Sequence, residues 1–137
     1  DYHGGAGPGK INTERVATLG PAKSRNGLMP IEELLEYSRF DYMRDKPLPA
    51  KRNRVLNGYA QGWALCYLLR DWKKDKYGAK WNDYVKEEFR GRSGRAAFVS
   101  VYGEPAIAEI QRDFNDMIDA LSKAMAAGKI VRGAILE

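Results

Sequence analysis

Asn57-Gly58-Tyr59-Ala60-Gln61-Gly62-Trp63-Ala64-Leu65-Cys66-Tyr67-Leu68-Leu69-Arg70 is the longest largely apolar run in the chain. It is too long for an ordinary strand, and Ala, Leu, Gln and Arg are good helix formers. Tyr59, Trp63, Cys66, Tyr67 and Arg70 stand three or four apart and share one face. Leu65, Leu68, Leu69 and Trp72 cover the adjoining face. A helix apolar nearly all round is buried nearly all round. The pattern predicts a central buried helix over about residues 53–74, stopped at Tyr77-Gly78. Gly58 and Gly62 each cost about 1 kcal/mol relative to Ala in a helix interior. The simplest compensation is a second backbone packed close along that side.

Helices are expected on both sides of this one. Pro30 takes the favoured first position of a helix whose stripe is Ile31, Leu34 and Leu35, with Glu32, Glu33 and Glu36 outward. Those three carboxylates complement the dipole of a first turn, which accounts for them without acid–base chemistry. Ser38 to Pro49 reads as a connector, with Phe40 and Tyr42 tucked into the core. A helix over about 80–89 recurs in Trp81, Tyr84, Val85 and Phe89. Ser93 is the expected cap of a short helix, Arg95 to Tyr102, that buries Ala97, Phe98 and Val101. The last helix spans Pro105 to Ala127 on a stripe of Ile107, Ile110, Phe114, Met117, Ile118, Leu121 and Met125, and Gly128 is its stop.

The fold class is therefore all-α: a compact array of about five helices around the central one, behind an irregular Gly-rich N-terminal segment. Residues 1–28 read as loop or extended chain, with at most a short helix from Asn12 to Ala17 and with Pro8 and Pro21 as breakers. Residues 29–127 form the helical domain and 128–137 an aperiodic tail. Gly4-x-x-x-x-Gly9-Lys10 matches most of a phosphate-binding loop, but Ile11 replaces the Ser or Thr that would hold magnesium, and Asp1-Tyr2-His3 supplies no preceding strand.

Composition excludes several classes. At 137 residues, 44% hydrophobic and 30% charged, the chain is an ordinary globular domain and not a disordered one. No apolar run reaches the length of a membrane span. A single cysteine, Cys66, makes no internal disulfide and reads as a core residue. A single histidine, His3, cannot build a metal site alone. The net charge of +5 gathers in three groups: Lys51, Arg52 and Arg54; Lys73, Lys74 and Lys76; Arg90, Arg92 and Arg95. Helix C-terminal dipoles account for the second and third. Nucleic-acid binding is disfavoured because the aromatics are not interleaved with these groups. With no signal peptide and no initial Met, the expectation is a piece of a longer or processed protein.

Tyr59-Ala60-Gln61-Gly62-Trp63-Ala64-Leu65 resembles the Tyr-Ala-Gln-(Ser/Ala)-Trp-Ala-Leu stretch of bacterial peptidase-MA-like domains of unknown function, which belong to the gluzincin zinc peptidases. Pro30-Ile31-Glu32-Glu33-Leu34-Leu35 resembles that family's Pro-Leu-x-Glu-Leu-Leu, and Ala97-Phe98-Val99-Ser100-Val101-Tyr102-Gly103 its Ala-Phe-x-x-x-Phe-Gly. The resemblance covers roughly residues 29–122. It implies the downstream, helical part of such a domain, a secreted or periplasmic setting, and peptide substrates for a complete parent. The stretch also resembles Tyr-x-Lys-Gly of gluzincin aminopeptidases, where the tyrosine hydroxyl stabilises the oxyanion. Only Tyr59 and Gly62 carry over; Gln61 stands in place of the lysine. Tyr59 is thus the one candidate catalytic residue, as an oxyanion stabiliser in a complete enzyme, with a buried core tyrosine as the plain alternative.

His-Glu-x-x-His is missing from the chain. No cofactor or metal ligand is assigned here, zinc is expected only in a full-length parent, and the chain alone is not expected to be an enzyme. Its expected partner is the zinc-bearing half of the domain or another protein. The second functional class is a self-sufficient helical binding module that recognises a protein or nucleic acid through a basic surface. An exposed apolar patch points to the first, and a closed surface with a continuous basic face to the second.

Overall fold

The computed structural model describes residues 11–91 and 94–129, and every described regular element is helical. The helices are α1 (Thr13–Ser24), α2 (Ile31–Glu36), α3 (Arg39–Asp45), α4 (Arg52–Tyr67), α5 (Lys74–Tyr77), α6 (Trp81–Phe89), α7 (Gly94–Tyr102) and α8 (Ala106–Ala126). The Gly4–Lys10 motif, His3, Ser93 and the tail from residue 130 lie outside the described residues.

Residues 13–24 are not loop. Asn12 caps α1 by accepting a hydrogen bond from the Arg15 N–H at 3.1 Å, and the helix runs through Pro21. Proline costs a helix about 3 kcal/mol. Here Val16, Leu19 and Ala22 are buried against α4 and α8, and that tertiary packing overrides the local preference. The connector expected at 38–49 also contains a helix: Ser38 and Asp41 form a reciprocal capping box that starts α3. Phe40, expected inside, is 76% exposed on this helix, and Tyr42 is half-buried. Phe89, expected on the buried stripe of α6, is 88% exposed because α6 ends there.

The central helix departs from a regular rod. α4 ends at Tyr67 and widens into a π turn, Leu68–Trp72, closed by the Lys73 N–H donating to the Leu68 carbonyl at 2.8 Å. Most of α4 is buried, including Ala60, Gln61, Trp63, Ala64 and Leu65, and the π turn buries Leu68 and Leu69. Leu56, Tyr59 and Trp72 reach the surface. α8 packs on α1, α2 and the π turn, and its stripe of Ile110, Phe114, Met117, Ile118 and Leu121 is all buried. Phe98 stacks on Tyr102 in α7, and the Tyr84 ring meets both edge-on.

Carboxylates foreseen as a solvated first turn instead tie the helices together. Glu33 pairs with Arg54 of α4 at 2.5 Å, and Glu32 pairs with Arg95 of α7 at 2.8 Å. Glu36 accepts the Arg95 backbone N–H at 2.8 Å and so caps α7. On α8, Asp113 accepts both the Tyr77 hydroxyl, at 2.5 Å, and the Lys76 ammonium, at 2.8 Å.

Gly58 and Gly62 do different work. A Cβ at Gly58 would lie 2.7 Å from the Tyr42 hydroxyl and 3.1 Å from the Met29 methyl, so side chains fill the gap and not a second backbone. A Cβ at Gly62 would meet nothing within 4 Å. α1 and α8 also approach closely: a Cβ at Gly20 would stand 2.6 Å from Ser122 Oγ. Gly62→Ala should therefore stabilise the protein by about 0.5–1 kcal/mol through helix propensity alone. Gly58→Ala should destabilise it by roughly 1–3 kcal/mol by overpacking. Urea unfolding of the two variants checks both signs.

Candidate functional site

Tyr59 is the sequence-chosen residue. Its helical neighbours Gly58, Ala60 and Gln61 are buried, yet its own side chain is 39% exposed. It is not a core tyrosine, and its hydroxyl has no hydrogen-bond partner among the described residues. One ring face is occupied: Tyr42 stacks on it at 4.6 Å with the planes 6° apart, and Tyr37 meets Tyr42 edge-on at 4.4 Å. Such pairs contribute about 0.5–1.5 kcal/mol each. The absence of a Cβ at Gly58 is what lets the Tyr42 ring lie there. The order of support is thus Gly58, Tyr42, Tyr59.

Behind the tyrosines lies a polar anchor. Asp45 is 1% exposed and accepts hydrogen bonds from the Tyr37 hydroxyl at 2.7 Å and from Arg44 Nε at 2.9 Å. Arg44 foremost, then the Tyr37 hydroxyl, holds the Asp45 carboxyl down at about 2. Burial, with the hydrogen bond to Asp45, pushes the Tyr37 phenol up to about 12. Burial does the same for Tyr42, to about 12. Arg54 lies over the Tyr37 ring at 4.9 Å while pairing with Glu33, which fastens α2 to α4 at the base of the stack. None of this anchor was foreseen.

In front of Tyr59 is an open groove of about 600 Å³ between the 46–49 connector and the first half of α4. Leu48, Val55, Leu56 and Tyr59 give it an apolar floor, Lys46 and Arg52 stand on its rim, and among the described residues no acidic side chain lines it. Of the seven large apolar side chains exposed among the described residues, five (Phe40, Met43, Leu48, Leu56 and Tyr59) fall on α3, this connector and the start of α4. Three of the five, Leu48, Leu56 and Tyr59, come together in the groove lining.

Gln61, aligned with the lysine of Tyr-x-Lys-Gly, points the other way. It is fully buried, accepts the Met29 N–H at 3.0 Å and donates to the Met29 carbonyl at 2.7 Å. Its functional groups are committed to the fold. Cys66 and Gly62 line a second cleft of about 610 Å³ with Tyr84 and Glu88. Burial pushes the Cys66 thiol up, so it stays protonated near neutral pH.

No three His, Cys, Asp or Glu side chains converge as metal ligands among the described residues. Comparison with known families, with curated proteins and with solved structures returned no match. What this arrangement offers chemically is a rigidly backed phenol with a free hydroxyl, at the edge of an apolar groove with a cationic rim. No described helix is long and apolar enough to cross a membrane.

The Asp45 anchor has a pH signature. A carboxyl held below its ordinary value contributes stability that is present above about pH 4 and is lost as pH falls toward about 2. Acid unfolding of the wild type should be steep in that window. Asp45→Asn should flatten it while lowering stability at pH 7, as followed by circular dichroism at each pH.

Proposed function

We propose that the chain is a non-catalytic helical subdomain forming one wall of a peptide-binding cleft, like the downstream part of a gluzincin-type zinc peptidase domain. The observation that carries this reading is the exposure of Tyr59. On a helix that buries most of its residues from Val55 to Tyr67, Tyr59 turns outward beside Leu56, is braced on Tyr42 and has a hydroxyl with no partner among the described residues, next to an apolar groove. A residue needed only for packing would be covered. The exposed apolar side chains of α3, the connector and α4 support a docking or substrate face, as expected of a subdomain that works against another surface.

In this reading the metal-bearing residues belong to a part of the parent outside this sequence. The role of this chain is to present Tyr59, whose O–H donates toward a negative charge developing on a peptide carbonyl oxygen. The second reading, a self-sufficient basic binding module, is favoured by Lys46, Lys51 and Arg52, which form no ion pair among the described residues. Binding governed by that reading would weaken steeply with salt.

Tyr59→Phe in the complete protein should lower kcat by about 10²–10³-fold with KM little changed, the size expected for loss of one oxyanion donor. The fold should be indifferent, with stability within about 0.5 kcal/mol of wild type, because the lost hydroxyl has no partner. Unchanged turnover would end this role for Tyr59.

A further inference from the structure

The groove beside Tyr59 has a chemical preference that goes beyond a generic peptide surface. Its floor is apolar and its rim carries Lys46 and Arg52, with no carboxylate among its lining residues. Nearby cations are already committed: Arg44 to Asp41 and Asp45, and Arg54 to Glu33. Lys46 and Arg52 are exposed, and neither forms an ion pair among the described residues. A purely apolar occupant would partly desolvate two cations and give them no counter-charge. A single-stranded nucleic acid stacks successive bases on several aromatic rings, and Tyr59 is the one aromatic among the described residues that line the groove. A volume of about 600 Å³ suits a few side chains and not a whole domain face.

We propose that this groove docks a peptide segment that sets an apolar side chain on Leu48, Leu56 and Tyr59 and places an adjacent Asp or Glu side chain between Lys46 and Arg52. The inference rests on the reading of this face as a cleft wall and names the class of segment the wall selects. The guanidinium of Arg52 offers a forked pair of donors to the carboxylate, while Lys46 contributes a point charge.

The test is fluorescence anisotropy with the 137-residue chain and labelled, N-acetylated, C-amidated peptides. One peptide carries Leu-Glu at its centre, a twin carries Leu-Gln, and a third carries Leu-Gln with a free C-terminal carboxylate. The Leu-Glu peptide should bind about 3–10-fold tighter than its Leu-Gln twin at low salt, with the gap closing as salt rises, the size expected for rim charges. The double charge reversal Lys46→Glu with Arg52→Glu should abolish that preference and favour a Leu-Lys peptide. Both sites are exposed, so circular dichroism should be unchanged. Leu56→Ser, which removes apolar contact without adding charge, should weaken all the peptides alike. Equal binding of the Leu-Glu and Leu-Gln twins overturns the proposal, as does no binding at all. Tighter binding of the free-carboxylate peptide, or of an oligonucleotide competitor, overturns it too. A loss of turnover in Tyr59→Phe alongside any of these results leaves the cleft wall standing without this selectivity.

Discussion

The primary amide of Gln61 pairs with both backbone groups of Met29, and that pair ties the link between α1 and α2 to α4. Met29 lies in the irregular link between α1 and α2, where no ladder of backbone hydrogen bonds serves it. Both partners are buried, so the Met29 N–H and C=O have no water to turn to. Leaving either unpaired costs roughly 1–3 kcal/mol. One helical turn earlier, Asn57 donates to the Gly27 carbonyl at 3.2 Å. These two amides, four residues apart on one side of α4, fix the path of the link. They place α1 so that Val16 and Leu19 reach the core, and α2 so that its glutamates reach Arg54 and Arg95.

A different side of α4 is turned to the surface. Gly58 makes room for Tyr42, Tyr42 backs Tyr59, and the Tyr37–Asp45–Arg44 group fixes the base of the stack. The backing of Tyr59 therefore comes from α3, whose Tyr42 and Asp45 are held against α4 and Tyr37. A phenol braced this way loses little rotamer freedom when it meets a ligand, which is how a binding surface keeps its ordering cost low.

The sequence was most legible where periodicity was strong. The α8 stripe and the apolar run of α4 declared themselves, and with them the all-α class. A short helix over 12–17 was allowed, but the continuation of α1 to Ser24 stayed hidden because Pro21 and the surrounding glycines speak for loop, while its apolar residues are few and gain their effect only against α4 and α8. Phe40 and Phe89 have the side chains of core residues, and nothing local records that α3 and α6 hold them outward. The roles of Gln61, Glu32, Glu33 and Glu36 depend on partners 21 to 63 residues away, beyond any local pattern. Tyr59 was singled out by resemblance, and its exposure was open until the neighbouring turns were in place. Two primary amides, Asn57 and Gln61, one helical turn apart in a largely apolar run were the signal that could have exposed the clamp.

Amide hydrogen exchange at Met29 tests the central claim most directly. If the Gln61 amide holds this link, the Met29 N–H exchanges only through global unfolding, as slowly as the core amides of α4. In Gln61→Ala it should then exchange orders of magnitude faster than the fall in global stability explains. A Met29 amide that exchanges in the wild type as fast as the exposed Asn26, with the core amides still protected, would contradict the account.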